Sequence, residues 1–516
     1  MQVAWFKRDL RITDHAPLRA AALAGPVLAL YVYEDALLGA PDADARHLGF
    51  LNEALDDLDA ALADIGLRLL RLRGALPEVF DALHRRHRIE GLWSHEETGN
   101  ASSFARDRAV AAWCRAQGVP WREYPNGAVV RRLRDRDEWS AHWMSVMRPA
   151  PAGPPPRITP ARVAGMVSVV PPDAAAVGLV SRDIDGRQRA GRALALNELD
   201  QFLDERVPRY RRGMSSPLSA GDDCSRLSPH LALGIVSLRE VVHAVWRARS
   251  GWLARAHVPQ GAAALAGLKS FESRLHWHCH FMQKLESEPE IEFHPVNRLY
   301  EGLREADFSA ARHAAWCRGE TGYPFIDACM RSLDATGWIN FRMRAMLIAF
   351  SSYQLWNHWR EPALHLARLF TDYEPGIHYP QVQMQSGVTG INTLRIYNPV
   401  KQQIDQDPKG IFVRRWLPEL ARVPIELLAE PWRMTPDEQM RAGCVIGRDY
   451  PAPVVEHLDA ARAARDAVWA VRRLPEAGAE ARRVFVQHGS RNPDREGVRR
   501  RRKAKADDGG QMGFGF

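Results

Sequence analysis

The sequence predicts two structural units, an α/β N-terminal domain with a Rossmann-like parallel five-stranded sheet and an all-α C-terminal domain. Three observations predict this division. Short apolar runs alternate with helix-length segments over the first 130 residues. A proline-rich break follows, and beyond it the pattern is helical from about residue 194 to 473.

The five runs are 3–7, 27–34, 67–73, 89–96 and 121–125, each with β-branched or aromatic residues. Between the second and third, residues 48–65 carry Leu51, Leu55, Leu58 and Leu62 at helical spacing. Strands alternating with helices imply a parallel sheet covered on both faces. No GxGxxG or P-loop run is present, so the architecture by itself names no ligand.

Pro149-Ala150-Pro151-Ala152-Gly153-Pro154-Pro155-Pro156 cannot propagate a helix. The expected division is an α/β domain over 1–130, a linker over 131–190, a helical domain over 191–476 and a basic, disordered tail over 477–516. Most of the sixteen tryptophans fall after residue 130. A dense aromatic interior is either ordinary core or the wall of a pocket for a flat ligand.

At 516 residues the chain can hold two or three domains, and 46% hydrophobic residues suit a soluble protein. No apolar run has the length of a membrane span, and the first residues read as a strand rather than a signal peptide. A cytoplasmic monomer is expected. The six cysteines are scattered without a CxxC pair, so no metal site is expected and the thiols read as reduced. The formal charge of +8 draws polyanions, although much of it sits in Arg499-Arg500-Arg501-Arg502-Lys503-Ala504-Lys505, which a solvated tail also explains.

Ordered blocks then carry a resemblance. Trp5-Phe6-Lys7-Arg8-Asp9-Leu10-Arg11 opens the chain. Cys224-Ser225-Arg226-Leu227-Ser228-Pro229, Thr321-Gly322-Tyr323-Pro324-Phe325 and Thr336-Gly337-Trp338-Ile339-Asn340-Phe341-Arg342-Met343-Arg344 follow. Arg395-Ile396-Tyr397-Asn398-Pro399 and Trp416-Leu417-Pro418-Glu419-Leu420 continue the order. Together they resemble the photolyase/cryptochrome family, most closely a divergent bacterial cyclobutane pyrimidine dimer photolyase. The resemblance implies that the helical domain binds FAD. It also implies that the light-excited, reduced flavin sends an electron to a flipped-out dimer in UV-damaged DNA. A cryptochrome-type photoreceptor with the same flavin and no repair activity is the alternative.

By the same resemblance, Tyr210, Cys224, Ser225, Arg226, Leu227 and Ser228 attend the FAD phosphates, with Cys224 where the family has threonine. Arg344 and Asp372 form an ion pair beside the flavin ring. His278, Trp338, Phe341, Glu374, Ile377 and His378 complete the cofactor shell, with His378 where an asparagine faces flavin N5. Arg274, Trp277, His278 and Phe281 share one helix face. Trp277 is the dimer-stacking tryptophan, Trp338 stands beside the flavin, Arg342 flanks a lesion phosphate, and Arg274 and Met384 replace a glutamate and a tryptophan of the lesion site. The tryptophan triad for photoreduction is incomplete: Val382 and Ala306 hold two positions and Trp359 the third, leaving Trp356 and Tyr373 as candidate donors by proximity in sequence. An antenna chromophore stays open as folate, deazaflavin or none, with His95-Glu96-Glu97-Thr98-Gly99 at the strand end where α/β sheets bind ligands.

Overall fold

The computed structural model describes residues 1–181 and 183–490. Strands β1 (Gln2–Trp5), β2 (Val27–Tyr33), β3 (Leu69–Arg73), β4 (Gly91–His95) and β5 (Trp121–Tyr124) form one parallel sheet in the order β3-β2-β1-β4-β5. Val3 aligns with Leu28 on one side and Leu92 on the other. Because side chains alternate along a strand, Val3 and Trp5 enter the core beneath helices Glu78–His87 and Ala101–Gln117. Ala4 and Phe6 enter the opposite core, beneath Ala16–Ala24 and Ala45–Asp64, where Leu51, Leu55, Leu58 and Leu62 are all buried. The expected sheet, covered on both faces, is the one observed.

The chain builds outward from β1 in one direction to β3, then crosses to β4 on the other side. The connections leaving the carboxyl ends of β1 and β4 therefore run in opposite directions, the place where such sheets leave a crevice. Lys7, Asp9, His95 and Thr98 line a cavity there of about 390 Å³.

Helices make up the second half. The Gly261–Ser287 helix carries Arg274, Trp277 and His278, and at 27 residues it is about 40 Å long. It packs on helices Val207–Gly213 and Pro375–Ser386. The second contact needs Gly376: a Cβ there would collide with Met282. Trp316, Phe325, Met343, Phe350, Trp359 and Tyr379 lie at the centre of the surrounding apolar core.

Two expectations are corrected. The span 131–190 contains a helix, Trp139–Met147, whose Trp139, Trp143 and Met147 recur at i, i+4 and i+8 and are buried on the helical domain. The expected disorder from 477 is replaced by helix Ala477–His488, which buries Val484 and joins His488 Nε2 to Glu288 at 2.6 Å. Its polar composition hid a short anchoring face of two buried residues one turn apart, Val484 and His488. The rest of the expected tail, 491–516 with its basic run, lies outside the described residues.

Candidate functional site

The centre is Asp372. It accepts both guanidinium nitrogens of Arg344 at 2.9 Å, while Arg344 Nε donates to the Ile339 carbonyl at 2.7 Å. The Ser228 side chain adds to the pull that lowers the pKa of this carboxylate. Burial alone would raise its pKa, but Arg344 outweighs burial and holds it below the ordinary carboxylate value.

Arg226 stands beside this pair in the left-handed backbone region (φ 57°), which costs a residue with a side chain about 1–2 kcal/mol. Its guanidinium lies 3.8 Å from the ring centre of Trp338. No carboxylate among the described residues is within ion-pair distance of it, and burial pulls it down to about 10. A strained, half-buried cation without a counter-ion, flanked by Ser225 and Ser228, suits an anionic group such as a diphosphate. The donor set therefore fits FAD.

A second face is assembled from the Gly261–Ser287 helix. The Arg274 guanidinium covers Trp277 at 4.6 Å and meets the Tyr210 hydroxyl, with Cys224 alongside. Tyr210 thus addresses Arg274. Glu272, on another side of the helix, accepts from Trp246 Nε1 at 2.7 Å and does not approach Trp277. Phe341 is exposed and Arg342 half-buried at the start of helix Phe341–Ala349.

On helix Pro375–Ser386 the partly exposed side chains are Ile377, Gln381 and Met384, with Glu374 just before them, one helical face. Two expectations fail here. His378 is turned off that face: its Nε2 donates to the Ala363 carbonyl at 2.8 Å, and Phe370, Tyr373 and Tyr379 enclose its ring. Burial pushes it down to about 4, so it is neutral. The Leu227 side chain is likewise in the hydrophobic core, leaving only its backbone for a ligand. Gln381 was not foreseen, although its buried, unpartnered Oε1 lies on the site-facing turn. Asn340 was also missed. Its amide donates to the carbonyls of Met214 and Ser215 at 3.1 and 2.8 Å, tying that loop to the tryptophan segment.

His278 pairs with Glu374 at 3.0 Å. Burial opposes the charge on His278, but the carboxylate outweighs it and pushes the imidazole up to about 10. A His pKa raised from 6.5 stabilises the fold fully below 6.5 and loses that contribution as pH climbs through about 10. Glu374→Gln should therefore lower the melting temperature most near pH 6. The gap to wild type should close above about pH 10 in thermal melts. A pH-independent gap would show that the pair carries no charge.

Of the proposed electron donors, Trp359 is buried with its indole nitrogen unpartnered. Trp356 lies under Arg304 and donates to Asp307 at 3.3 Å. Tyr373 donates to Asp42 at 2.6 Å.

In the sheet crevice, Asp9, His15 and His95 meet with ligand atoms within 4.8 Å of one another, a cluster the sequence reading did not foresee. His15 Nδ1 accepts from the Leu18 amide at 3.1 Å, so its proton sits on Nε2 and is donated to Asp9 at 2.9 Å. His95 Nδ1 donates to the same oxygen at 2.7 Å. A metal would have to displace both protons and leave His15 with none, so the cluster reads as a hydrogen-bond network. It braces the wall of the 390 Å³ cavity, which His95, Glu96, Glu97 and Thr98 share with His278 and Glu374.

An α/β sheet domain joined to a helical domain whose donor set fits FAD defines a class of two-domain flavoproteins. Residues 2–136 match the family described as DNA photolyase, and residues 271–470 match the FAD binding domain of DNA photolyase. A deoxyribodipyrimidine photo-lyase of Streptomyces griseus is 31% identical over 89% of this chain and 97% of its own length. A cryptochrome DASH of Gloeobacter violaceus is 28% identical over 90% and 95%. A bacterial class III photolyase from Agrobacterium tumefaciens superposes with a TM-score of 0.77, at 26% identity, over 92% of this chain and 98% of its own. The chain belongs to the photolyase/cryptochrome family and carries its FAD-binding domain. No described helix is long and apolar enough to cross a membrane.

Proposed function

We propose that this chain is a light-driven lyase that repairs cyclobutane pyrimidine dimers in UV-damaged DNA, acting as a cytoplasmic monomer. The observation that carries this reading is the Trp277 ring capped by Arg274 on the same helix as His278, whose partner Glu374 follows Asp372 of the Arg344–Asp372 pair by two residues. Reduced FAD, when bound and excited by light, supplies one electron to the dimer and recovers it after the ring opens.

The chain's residues do the rest. Trp277 offers an aromatic wall to a base pair that has lost its own stacking. Arg274 is poised to donate to the pyrimidine carbonyls and to offset negative charge on the dimer, a task that elsewhere in the family falls to a carboxyl group. Arg342 is positioned for a flanking phosphate. Ser225, Arg226 and Ser228 hold the cofactor phosphates, and Arg344, fixed by Asp372, favours an anionic flavin ring. His278, paired with Glu374, keeps a second cation at the cofactor's edge.

The second reading is a blue-light photoreceptor without repair. The substituted lesion-side positions Arg274 and Met384 favour it, as do relatives named cryptochrome. Chemically reduced protein mixed with a thymine-dimer oligonucleotide under blue light should restore thymines at a rate that follows the light dose. Absence of repair from flavin-loaded, fully reduced protein would leave the photoreceptor reading standing.

A further inference from the structure

The FAD-binding helix Pro375–Ser386 and the segment before it present a tyrosine pair to the N-terminal domain. The Tyr373 hydroxyl donates to Asp42 Oδ2 at 2.6 Å, and Asn100 Nδ2 donates to the same oxygen at 3.1 Å. Asp42 is only 5% exposed. Tyr379 is fully buried, and its hydroxyl, without a well-formed hydrogen bond, adjoins the Tyr373 phenol. The His378 ring meets Tyr373 edge-on at 5.2 Å, Tyr379 at 5.5 Å and Phe370 at 6.0 Å. The Arg344 guanidinium lies 4.1 Å over Phe370. The rings thus run without a gap from the Arg344–Asp372 pair to a carboxylate of the other domain.

A phenol is a poor electron donor while it keeps its proton, because its radical cation is a strong acid. Burial pushes the Tyr373 phenol well above its ordinary pKa, so it does not ionise in the resting protein. A carboxylate on a 2.6 Å hydrogen bond removes that obstacle, since the proton can leave as the electron does. Trp359 has no such acceptor, its indole nitrogen being buried without a partner.

We infer that Tyr373, backed by Tyr379, is the electron donor through which light reduces the oxidised flavin of this chain, with Asp42 as the proton acceptor. This rests on the FAD site described above. In the step, Tyr373 loses one electron to the excited, oxidised flavin and its hydroxyl proton to Asp42, leaving a neutral tyrosyl radical. An external thiol then returns an electron to the radical, and Asp42 returns the proton. Tyr379 shares the oxidising equivalent with its neighbour.

Full-length protein loaded with oxidised FAD, given a blue-light pulse in the presence of a thiol, tests this by transient absorption. A neutral tyrosyl signal is expected, forming more slowly in D₂O than in H₂O. Tyr373→Phe keeps the ring against His47, and so should keep its flavin. It should lose the signal and slow steady photoreduction at least about tenfold, roughly 1.4 kcal/mol in the barrier. Asp42→Asn should slow formation of the radical by a similar factor and abolish the solvent isotope effect. A tryptophanyl signal in wild type, or a flavin-loaded Tyr373→Phe protein with unchanged radical yield and rate, would overturn the relay. Protein that takes up no flavin in any form, wild type included, would instead overturn the cofactor assignment.

Discussion

Asp372→Ala should purify without flavin while the wild type purifies yellow, and it should melt at a lower temperature. The carboxylate is 3% exposed and takes both terminal nitrogens of the Arg344 guanidinium. Its removal strands a partly buried guanidinium beside Arg226, which has no carboxylate of the described residues within ion-pair distance. Breaking a buried pair by deleting one partner costs about 3–5 kcal/mol. The lower end applies here, because Arg344 retains 22% side-chain exposure. Most of that loss falls on the cofactor, since the two arginines then repel one another at the place where the ring must sit. Asp372→Asn keeps the shape and one acceptor, so it should hold an intermediate share of FAD. Full flavin occupancy in Asp372→Ala, measured from the visible absorbance per protein, would dismiss the pair as the cofactor's anchor.

Trp277→Ala should retain flavin and lose affinity for damaged DNA. Stacking on an aromatic wall is worth about 1–3 kcal/mol per base, so binding should weaken roughly five- to hundred-fold. The variant also frees Arg274, which lies 4.6 Å over the ring, so the electrostatic partner of the dimer loses its position with the wall. The salt dependence of binding should stay unchanged, because no phosphate contact is removed. Arg342→Ala should behave in the opposite way, weakening damaged and undamaged DNA alike and lowering the salt slope by about one. Equal affinity of wild type and Trp277→Ala for a dimer-containing oligonucleotide would place the lesion elsewhere.

Legibility from sequence differs by region for physical reasons. The sheet was readable because β1, β2 and β4 are short, largely apolar runs set between helix-length segments, as strands covered on both faces must be. The helical face of Arg274 and Trp277 was readable because both lie on one helix, three residues apart. His378 was misread. Aligned position suggested the flavin, but the direction of a side chain on a helix depends on what the helix packs against. Here the Ala363 carbonyl and three aromatic rings offered a better berth. Helix Ala477–His488 was missed because it anchors through Val484 and His488 rather than through a broad apolar stripe.

The sequence by itself determined the order of sheet and helical parts and the family, since these rest on local periodicity and ordered blocks. Only the tertiary structure decided the pairings. Arg226 covering Trp338, His278 against Glu374, and Tyr373 on Asp42 across 331 residues all join distant parts of the chain. Their existence depends on how two domains and three helices pack, which no local pattern encodes.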